Sequence, residues 1–414
     1  MTIQQMKTPK ANRLHIGIFG KRNAGKSSLL NALVNQDISI VSDVAGTTTD
    51  PVEKTMEFLP LGPVVFIDTA GIDDADPKLG LSRIEKTKKI FDRTDIAIIV
   101  CDYDGWDEYE ISLYEEFEKR NIPVLSVITK QDIKNIHADK LDEITKYVKI
   151  PLLTSMANNN REIVYKLKEQ LVSVCPEDFI TPPSILGDLV KPKDTVILVV
   201  PVDKEAPKGR LILPQVQVIR DLLDNRCKAF VVQETELKET INELKNRPRL
   251  VITDSQAFKE VAADVEQEIP LTSFSIVFAR MKGDLKEFYQ GARAIDTLKD
   301  NDRVLICESC SHHQIEDDIA RVKIPRWIKT KTGKDIKFDY HSGHDFAKNL
   351  EDYALLIHCG ACMTNRREVL SRIMKCKEAN LPVTNYGIAI AHCLGILERA
   401  IAPFNIMDLS LIHI

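Results

Sequence analysis

Short apolar runs alternate with stretches of helical periodicity along the whole chain of 414 residues. In the first third, these runs lie at residues 14–19, 64–67, 96–100 and 124–128. Short β-rich runs separated by amphipathic helical patterns are typical of a parallel sheet covered by helices on both faces. We therefore predict an α/β chain whose first domain ends with a helix at residues 161–174.

Two more strand–helix series follow, after a stretch in which regular structure is disfavoured. Residues 175–192 hold four of the 19 prolines, and proline fixes its own backbone angle and lacks an amide hydrogen. We therefore predict a linker at residues 175–193. The predicted domains are residues 1–174, 194–270 and 271–414, all of the α/β class with parallel sheets. The middle domain carries no polar motif, and we expect it to mediate dimerisation.

A glycine-rich turn joins the first predicted strand to the first predicted helix. The sequence Gly20-x-x-x-x-Gly25-Lys26-Ser27 stands in this position. In this context the pattern is typical of a phosphate-binding loop of P-loop enzymes. Backbone N–H groups surround the phosphates, the lysine reaches the outer phosphates, and the hydroxyl binds Mg²⁺. The residues that we expect to bind the phosphates are Gly20, Asn23, Ala24, Gly25, Lys26, Ser27 and Ser28.

Two more segments complete a Mg²⁺–nucleotide site. Asp68 ends a predicted strand in the run Asp-Thr-Ala-Gly, where its carboxylate can hold Mg²⁺ through water and the N–H of Gly71 can contact the γ-phosphate. Thr47 and Thr48 lie in a loop between strand regions, and Thr48 is the expected second hydroxyl ligand of Mg²⁺. The predicted catalytic residues are Lys26, Asp68, Gly71 and Thr48.

The expected base of the nucleotide is guanine. The run Thr-Lys-Gln-Asp at residues 129–132 follows a predicted strand. The Asp132 carboxylate can accept hydrogen bonds from N1 and N2 of guanine, while Lys130 lies along the base. Ser155 and Met156 are expected to offer backbone N–H groups to the guanine oxygen.

These segments resemble small GTPases of the translation-factor class, in the branch of Era, septins and tRNA-modifying GTPases, over residues 13–172. Thr129 stands where the base-reading motif usually begins with Asn, which predicts a base affinity weaker by about 1–3 kcal/mol. Ile72 stands where Ras-like enzymes carry a catalytic Gln, so slow hydrolysis of GTP to GDP and phosphate is expected. In this branch an Asn at the position of Asn23 helps to bind K⁺, which implies K⁺ activation; the alternative is that Asn23 only braces the loop.

Cysteine and histidine accumulate towards the other end of the chain. Six of the nine cysteines and seven of the nine histidines lie beyond residue 300. Two patterns, Cys-x-His and His-Cys-x-x-Cys, follow strands predicted at residues 303–306 and 353–357. Since open α/β sheets bind ligands at the carboxyl ends of their strands, we expect the two patterns to converge. The residues concerned are Cys310, His312, His358, Cys359 and Cys362.

Thiols in such a set ligate either Zn²⁺ or an iron–sulfur cluster. A zinc site would take three thiolates and one histidine, whereas a [4Fe–4S] cluster on three thiolates leaves one iron for a labile ligand. The residues alone leave both metals open. Thr364 is expected to cap the helix of residues 365–379, whose N-terminal dipole would face an anionic cluster.

Charge and hydropathy exclude several classes of protein. The net charge is −5, so no global basic field attracts nucleic acid or an anionic membrane. The N-terminal stretch lacks the apolar core of a signal peptide, and no stretch approaches the roughly 20 apolar residues that span a bilayer. We expect a cytoplasmic protein with reduced thiols and with neither nucleic acid nor membrane as a partner.

The order of a small GTPase domain, a middle α/β domain and this metal pattern resembles the HydF family of [FeFe]-hydrogenase maturation GTPases along essentially the whole chain. Residues 187–192 and 321–327 resemble that family as well. The resemblance implies a homodimer with a [4Fe–4S] cluster on Cys310, Cys359 and Cys362. It also implies a di-iron precursor as cargo, built by two radical-SAM maturases and delivered to apo-[FeFe]-hydrogenase.

Several roles stay open at this level. His312 and His358 are candidates for the fourth iron ligand, as are Glu316 and Asp317, and the alternative for the histidines is to orient the thiolates by hydrogen bonds. We expect His341 and His344, in a glycine-bearing loop, to be solvent-facing or lid residues, and Cys307, Cys376 and Cys393 to be core residues.

Two other functions are alternatives to a carrier that delivers a di-iron precursor. One is an RNA-associated assembly GTPase with a zinc-stabilised C-terminal domain, against which the acidic net charge counts. The other is a redox enzyme that acts on a small substrate at the cluster.

Overall fold

The chain divides into two compact units, Met1–Pro183 and Ser184–Ile414, each built from strands and helices. The computed structural model describes residues 12–34, 40–44, 52–58, 61–69, 90–155, 160–176, 179, 184–202, 209, 211–308, 318–343, 346–347, 349–361 and 364–405. The chain is of the α/β class, as predicted.

The first unit is built on one seven-stranded sheet in the order β2-β3-β4-β1-β5-β6-β7. Its strands are β1 (Leu14–Phe19), β2 (Ile40–Val44), β3 (Val52–Phe58), β4 (Gly62–Asp68), β5 (Ile96–Cys101), β6 (Val124–Ile128) and β7 (Leu152–Leu153). The helices that lie within its described residues and have defined bounds are α1 (Lys26–Val34), α2 (Glu108–Lys119), α3 (Ala138–Thr145) and α4 (Asn160–Val174). Strands β4 to β7 and β1 pair in parallel, as the alternation predicts. Strands β2 and β3 add an antiparallel edge to the sheet, whereas the alternation predicts parallel strands.

Both faces of this sheet are buried, because neighbouring side chains of a strand point to opposite sides. In β4, Val64 and Phe66 join one apolar cluster, whereas Val65 and Ile67 join the other. The cluster with Phe66 lies with α1 and α4, and the cluster with Ile67 lies with α2. Two covered faces explain why the strands read as continuous apolar runs.

The second unit contains two four-stranded parallel sheets, in the orders β11-β10-β8-β9 and β13-β12-β14-β15. The first has the strands β8 (Thr195–Val199), β9 (Lys228–Val232), β10 (Leu250–Thr253) and β11 (Leu271–Ser273). The second has β12 (Arg303–Glu308), β13 (Lys337–Ser342), β14 (Leu355–His358) and β15 (Val383–Asn385). The helices of this unit are α5 (Leu213–Asp224), α6 (Leu237–Glu243), α7 (Phe258–Asp264), α8 (Phe274–Lys282), α9 (Leu285–Ala292), α10 (Ile324–Thr332), α11 (Arg366–Glu378), α12 (Tyr386–Cys393) and α13 (Leu397–Ile401).

The predicted domain boundary after residue 270 falls inside the first of these sheets. Strand β11 pairs with β10 through Val251 and Leu271, so the sheet extends beyond the predicted boundary. A run of only three residues gives too weak a pattern to be assigned from sequence.

No helix within the described ranges is long and apolar enough to cross a membrane.

Candidate functional site

The predicted phosphate-binding loop connects β1 to α1. Gly20 has a φ of 137°, and a Cβ atom there would lie 2.0 Å from the carbonyl oxygen of Val100. Only glycine therefore fits at the start of the loop. Asn23 adopts a left-handed φ of 61°, which Asn tolerates better than most residues, and its side chain is exposed.

Of the residues predicted to bind phosphate and Mg²⁺, those that the structure describes lie in this loop and at the end of β4. Lys26 is 4% exposed, and its ammonium donates hydrogen bonds to the carbonyl oxygens of Gly20 and, at 2.8 Å, of Lys21. The Ser27 hydroxyl donates to the Asp68 carboxylate at 3.1 Å. The hydroxyl and carboxylate predicted for Mg²⁺ are therefore within hydrogen-bond distance of each other.

Thr129 contacts the phosphate-binding loop in a way that the sequence analysis did not foresee. Its buried hydroxyl lies 2.6 Å from the carbonyl oxygen of Ala24 and 3.1 Å from that of Cys101. Although Thr129 replaces the usual Asn, its hydroxyl still makes a hydrogen bond between the base-reading segment and the phosphate-binding loop. Lys130 has a left-handed φ of 58°, and its ammonium lies 3.1 Å from Asp102.

The remaining base-reading candidates show contrasting environments. Asp132 is exposed, and its contact with the base stays a prediction. The hydroxyl of Ser155 is buried and has no hydrogen-bond partner among the described residues. The backbone of Thr154 continues the sheet, because its N–H donates to Ile128 at 2.8 Å.

A charged contact between the loop and α2 was missed. The Lys21 ammonium contacts Asp107 and lies 3.5 Å from Glu110. Asp107 and Glu110 form the capping box of α2. The hydrogen bond from Lys21 holds the pKa of Asp107 below its usual value, whereas burial raises the pKa of Glu110. The spacing Asp-x-x-Glu before an apolar helix is the sequence signal that could have revealed the capping box.

Several predicted site residues lie outside the described residues. They are Thr47, Thr48, Gly71 and Met156 of the nucleotide site, and Cys310, His312, Glu316, Asp317, His344 and Cys362 of the metal region.

The described part of the metal region lies at the carboxyl edge of the second sheet of the second unit. Cys307 in β12 pairs with His358 in β14, and the N–H of Cys359 donates to the carbonyl oxygen of Cys307 at 2.9 Å. The Cys359 sulfur accepts a hydrogen bond from the N–H of Ala361 at 3.4 Å. Ala361 has a left-handed φ of 54°, so the loop turns sharply between the two predicted ligands of the Cys-x-x-Cys pattern.

A buried lysine holds this loop in place by hydrogen bonds to its backbone. Lys282, at the end of α8, is 3% exposed. Its ammonium donates to the carbonyl oxygens of Ala361 at 2.6 Å and of Thr364 at 3.0 Å. No sequence motif identifies Lys282 as a contact of the loop, because a lysine near the end of an amphipathic helix is ordinarily predicted to be solvated.

His358 is held between the loop and α11. Its Nδ1 lies 2.9 Å from the carbonyl oxygen of Cys359, and its Nε2 lies 3.0 Å from Nη1 of Arg372. Arg372 also donates to Glu368 at 2.7 Å. Because a guanidinium only donates, Nε2 must accept and Nδ1 must carry the proton. Burial, with the charge of Arg372, lowers the pKa of His358 to about 4.

Two local expectations about this region are wrong. Asn365, and not Thr364, caps α11, because its side-chain oxygen accepts from the N–H of Glu368 at 3.1 Å. Thr364 lies one residue too early for this contact. His341 lies on β13 and not in a loop, since it pairs with Cys307.

The other cysteines of this sheet behave as core residues. Cys307 and Cys376 are buried, and Cys393 is partly buried. Burial raises the pKa of each of these thiols to about 12, so they stay protonated at neutral pH. A protonated thiol is a poor metal ligand. Among the described cysteines, Cys359 is the one that directly follows the carboxyl end of β14.

The residues present fit a thiolate-bound anionic cluster. The Lys282 ammonium and the Ala361 N–H lie around the loop of Cys359, and both favour negative charge on sulfur. No group of three or more His, Cys, Asp or Glu side chains that could hold a metal occurs within the ranges that the structure describes. Two of the three predicted thiols lie outside these ranges.

Three family models match the chain. Residues 15–130 match the model described as 50S ribosome-binding GTPase. Residues 185–283 match the hydrogen maturase F dimerization domain, and residues 286–403 match the hydrogen maturase F tetramerization domain. The chain belongs to the hydrogen maturase F (HydF) family. The first unit carries a P-loop GTPase domain, whose activity is the hydrolysis of GTP, with GTP or GDP and Mg²⁺ as its ligands.

Curated relatives match the first unit. GTPase Der of Wolinella succinogenes is 37% identical over 174 residues, which are 39% of this chain and 36% of that protein. GTPase Der of Campylobacter jejuni is 38% identical over 139 residues, 33% of this chain and 30% of that protein. The tRNA modification GTPase MnmE of Prochlorococcus marinus is 34% identical over 163 residues, 38% of this chain and 34% of that protein. The chain thus spans about a third of the length of these relatives.

Proposed function

We propose that this protein is a GTP-hydrolysing scaffold that holds a [4Fe–4S] cluster on Cys310, Cys359 and Cys362. It carries a di-iron precursor made by two radical-SAM maturases and delivers it to apo-[FeFe]-hydrogenase in the cytoplasm. The observation that carries the proposal is the union of a GTPase domain with both hydrogen maturase F models in one chain.

The surroundings of Cys359 support a cluster at this loop. A thiolate there gains from the Ala361 N–H at 3.4 Å and from the buried Lys282 ammonium below the loop. A [4Fe–4S] cluster would supply an exchangeable iron site when it is held by three thiolates. Such a site suits a carrier, which must bind its cargo and then release it.

We propose that His358 positions the loop and is not the fourth iron ligand. Both of its ring nitrogens are engaged, one by the carbonyl of Cys359 and one by Arg372. To ligate iron, the imidazole would have to leave Arg372 and turn out of a site where it is 2% exposed. Polar partners of this kind orient metal-binding loops in many proteins.

GTP hydrolysis serves in this proposal as a switch. A nucleotide changes partner binding only if the GTP and GDP states bind that partner with different free energies. The hydroxyl of Ser27 and the carboxylate of Asp68, 3.1 Å apart, are the described groups that Mg²⁺ would contact directly or through water.

Iron and sulfide analysis of anaerobically purified protein tests the proposal. Wild-type protein is expected to hold about four irons and four sulfides per chain, the content of a [4Fe–4S] cluster. Cys359→Ser should lose most of this iron and the cluster EPR signal but keep GTP hydrolysis. Cys393→Ser is the matched control, because that thiol lies in the same part of the chain and burial raises its pKa to about 12. Equal iron content in the wild type and Cys359→Ser contradicts the proposal.

The alternative is an RNA-associated assembly GTPase with a zinc-stabilised C-terminal domain. The description of the GTPase family model, 50S ribosome-binding, favours it, but that match ends at residue 130. The hydrogen maturase F models over residues 185–403 favour the carrier. Stoichiometric zinc in place of iron in the anaerobic protein would support the alternative.

We propose that two copies of the chain associate through β9. This strand is an edge of its sheet, and Phe230 and Val231 are 40% and 44% exposed. Leu223 on the preceding helix is exposed as well. Edge strands with exposed apolar side chains favour pairing with another chain, and the strand lies within the residues that match the dimerization model.

Light scattering after size-exclusion chromatography tests this interface. Val231→Lys introduces a charge on the edge strand and should shift the protein to a smaller species. Ile150→Lys is the control, because Ile150 is a similarly exposed apolar residue in the first unit. An unchanged mass for Val231→Lys contradicts the assignment of β9.

A further inference from the structure

Tyr386 lies at the same sheet edge as Cys359. Its helix α12 begins directly after β15, whose last residue, Asn385, pairs with His358. Cys359 is the next residue after His358. Tyr386 and Cys359 therefore leave two neighbouring parallel strands at the same level.

The side chains near this edge sort onto two faces. Ile306 and Ile357 lie in the apolar cluster that includes residues of α10 and α12, and the ring of Tyr386 packs against this cluster. Glu308 stands two residues after Ile306 on β12, so strand alternation directs it to this face. Cys359 directly follows β14, and its N–H donates to the carbonyl oxygen of Cys307. His358 instead faces α11, where it contacts Arg372.

The hydroxyl of Tyr386 is buried and has no hydrogen-bond partner in the part of the chain that the structure describes. A tyrosine hydroxyl is protonated at neutral pH and can donate one hydrogen bond. Glu308 already accepts a hydrogen bond from Arg321 at 2.6 Å. A buried hydroxyl without an acceptor is unfavourable, so this hydroxyl needs an acceptor that the described residues do not supply.

We propose that the Tyr386 hydroxyl donates a hydrogen bond to a sulfur of the iron–sulfur cluster held by Cys359, either its thiolate or a sulfide. This inference rests on the proposed function, since it needs an iron–sulfur cluster at this loop. Hydrogen bonds to cluster sulfurs help to set the reduction potential, because they stabilise the more negative, reduced state. Tyr386 is thus a positioning residue that tunes the cluster and does not ligate it.

Potentiometric titration followed by EPR tests the hydrogen bond. Tyr386→Phe removes the hydroxyl and keeps the ring in the apolar cluster. It should keep the iron and sulfide content of the wild type but move the reduction potential to a more negative value. Tyr353→Phe is the matched control. The Tyr353 hydroxyl accepts a hydrogen bond from Arg303 at 3.4 Å, just before β14, and therefore lies at the amino end of the strands, away from Cys359. Tyr353→Phe should keep the wild-type potential.

A second measurement detects the proton of this hydrogen bond directly. In reduced wild-type protein exchanged into D₂O, pulsed EPR should detect an exchangeable deuteron coupled to the cluster, and this coupling should weaken in Tyr386→Phe. An intact cluster with the wild-type potential in Tyr386→Phe, or no coupled deuteron in the wild type, overturns this inference alone. Wild-type protein that holds zinc or no iron overturns the proposed function and this inference with it.

Discussion

The Nζ atom of Lys282 lies 2.6 Å from the carbonyl oxygen of Ala361. The two residues are 79 positions apart. Lys282 belongs to the segment that matches the dimerization model, and Ala361 belongs to the segment that matches the tetramerization model. One buried cation therefore joins the helix after β11 to the loop that carries Cys359.

Lys282→Met should lower both the free energy of unfolding and the amount of iron that the protein binds. The substitution keeps an unbranched side chain but removes the donor that two carbonyl oxygens share. Loss of a buried charged hydrogen bond costs about 1–3 kcal/mol in free energy of unfolding. We expect urea unfolding at lower concentration and less iron per chain after anaerobic reconstitution. Lys286→Met, at an exposed position of the next helix, should change neither quantity. Wild-type stability and iron content in Lys282→Met would refute this role.

Lys26→Ala should abolish GTP hydrolysis and leave the cluster in place. The Lys26 ammonium is the charge that the phosphate-binding loop offers to the outer phosphates, and it belongs to the first unit. Phosphate release and cluster absorption, measured on the same preparation, check the two expectations. Lys54→Ala on β3 serves as the control with hydrolysis intact. Loss of both hydrolysis and cluster in Lys26→Ala would mean that the two units fold as one.

Local signals made the nucleotide site predictable from sequence. The loop around Lys26 follows a strand and opens a helix within a few residues, so spacing alone identifies it. The strand that ends at Asp68 was predictable for the same reason. Its two faces are both buried, which gives a continuous apolar run before the carboxylate.

The supports of the metal loop were not predictable, because they come from distant segments. Arg372 and Lys282 look like ordinary polar residues of amphipathic helices until the fold carries them to His358 and Ala361. Tyr386 was missed because an isolated aromatic residue at a helix start reads as core. Thr364 was predicted as a cap on residue type alone, although Asn365 is an equally good cap one position later.

Potassium should accelerate GTP hydrolysis several-fold over sodium if Asn23 helps to bind the cation. Asn23→Gly is the sharpest variant, because glycine adopts the left-handed φ of 61° without strain while the side-chain amide is lost. The variant should hydrolyse GTP at one rate in both salts, close to the wild-type rate in sodium. Equal wild-type rates in the two salts would show that Asn23 only braces the loop.

Alkaline pH should destabilise the second unit through Cys376. Burial raises the pKa of this thiol from 9.0 to about 12. Between these values the folded state holds a proton that the unfolded state has released, so stability falls as pH rises, by about 1.4 kcal/mol per pH unit for one thiol. Below the unfolded pKa the contribution is fully present.

The slope of unfolding free energy against pH isolates this thiol. Cys376→Ala should be less stable at neutral pH, because a buried side chain is shortened, but its slope between about pH 9.5 and 11 should be shallower than that of the wild type by the same amount, about 1.4 kcal/mol per unit. Trp327 reports on the second unit in a Trp106→Phe background, since the chain has two tryptophans. Identical slopes would mean that the Cys376 thiol titrates normally.

Thr129 and Asp132 should affect nucleotide binding in different ways. Thr129→Val keeps the shape but removes the hydrogen bond to the Ala24 carbonyl oxygen, which loosens the phosphate-binding loop. A loss of about 0.5–1.5 kcal/mol in binding free energy predicts a roughly two- to tenfold weaker affinity. This weakening should be equal for GTP and for its xanthine analogue, xanthosine triphosphate (XTP). Asp132→Asn instead exchanges the acceptor of guanine N1 and N2 for an amide that can donate to the xanthine oxygen, so it should favour XTP over GTP. Fluorescent nucleotide titrations measure both ratios. A changed ratio of XTP to GTP affinity in Thr129→Val would mean that Thr129 reads the base and does not simply brace the loop.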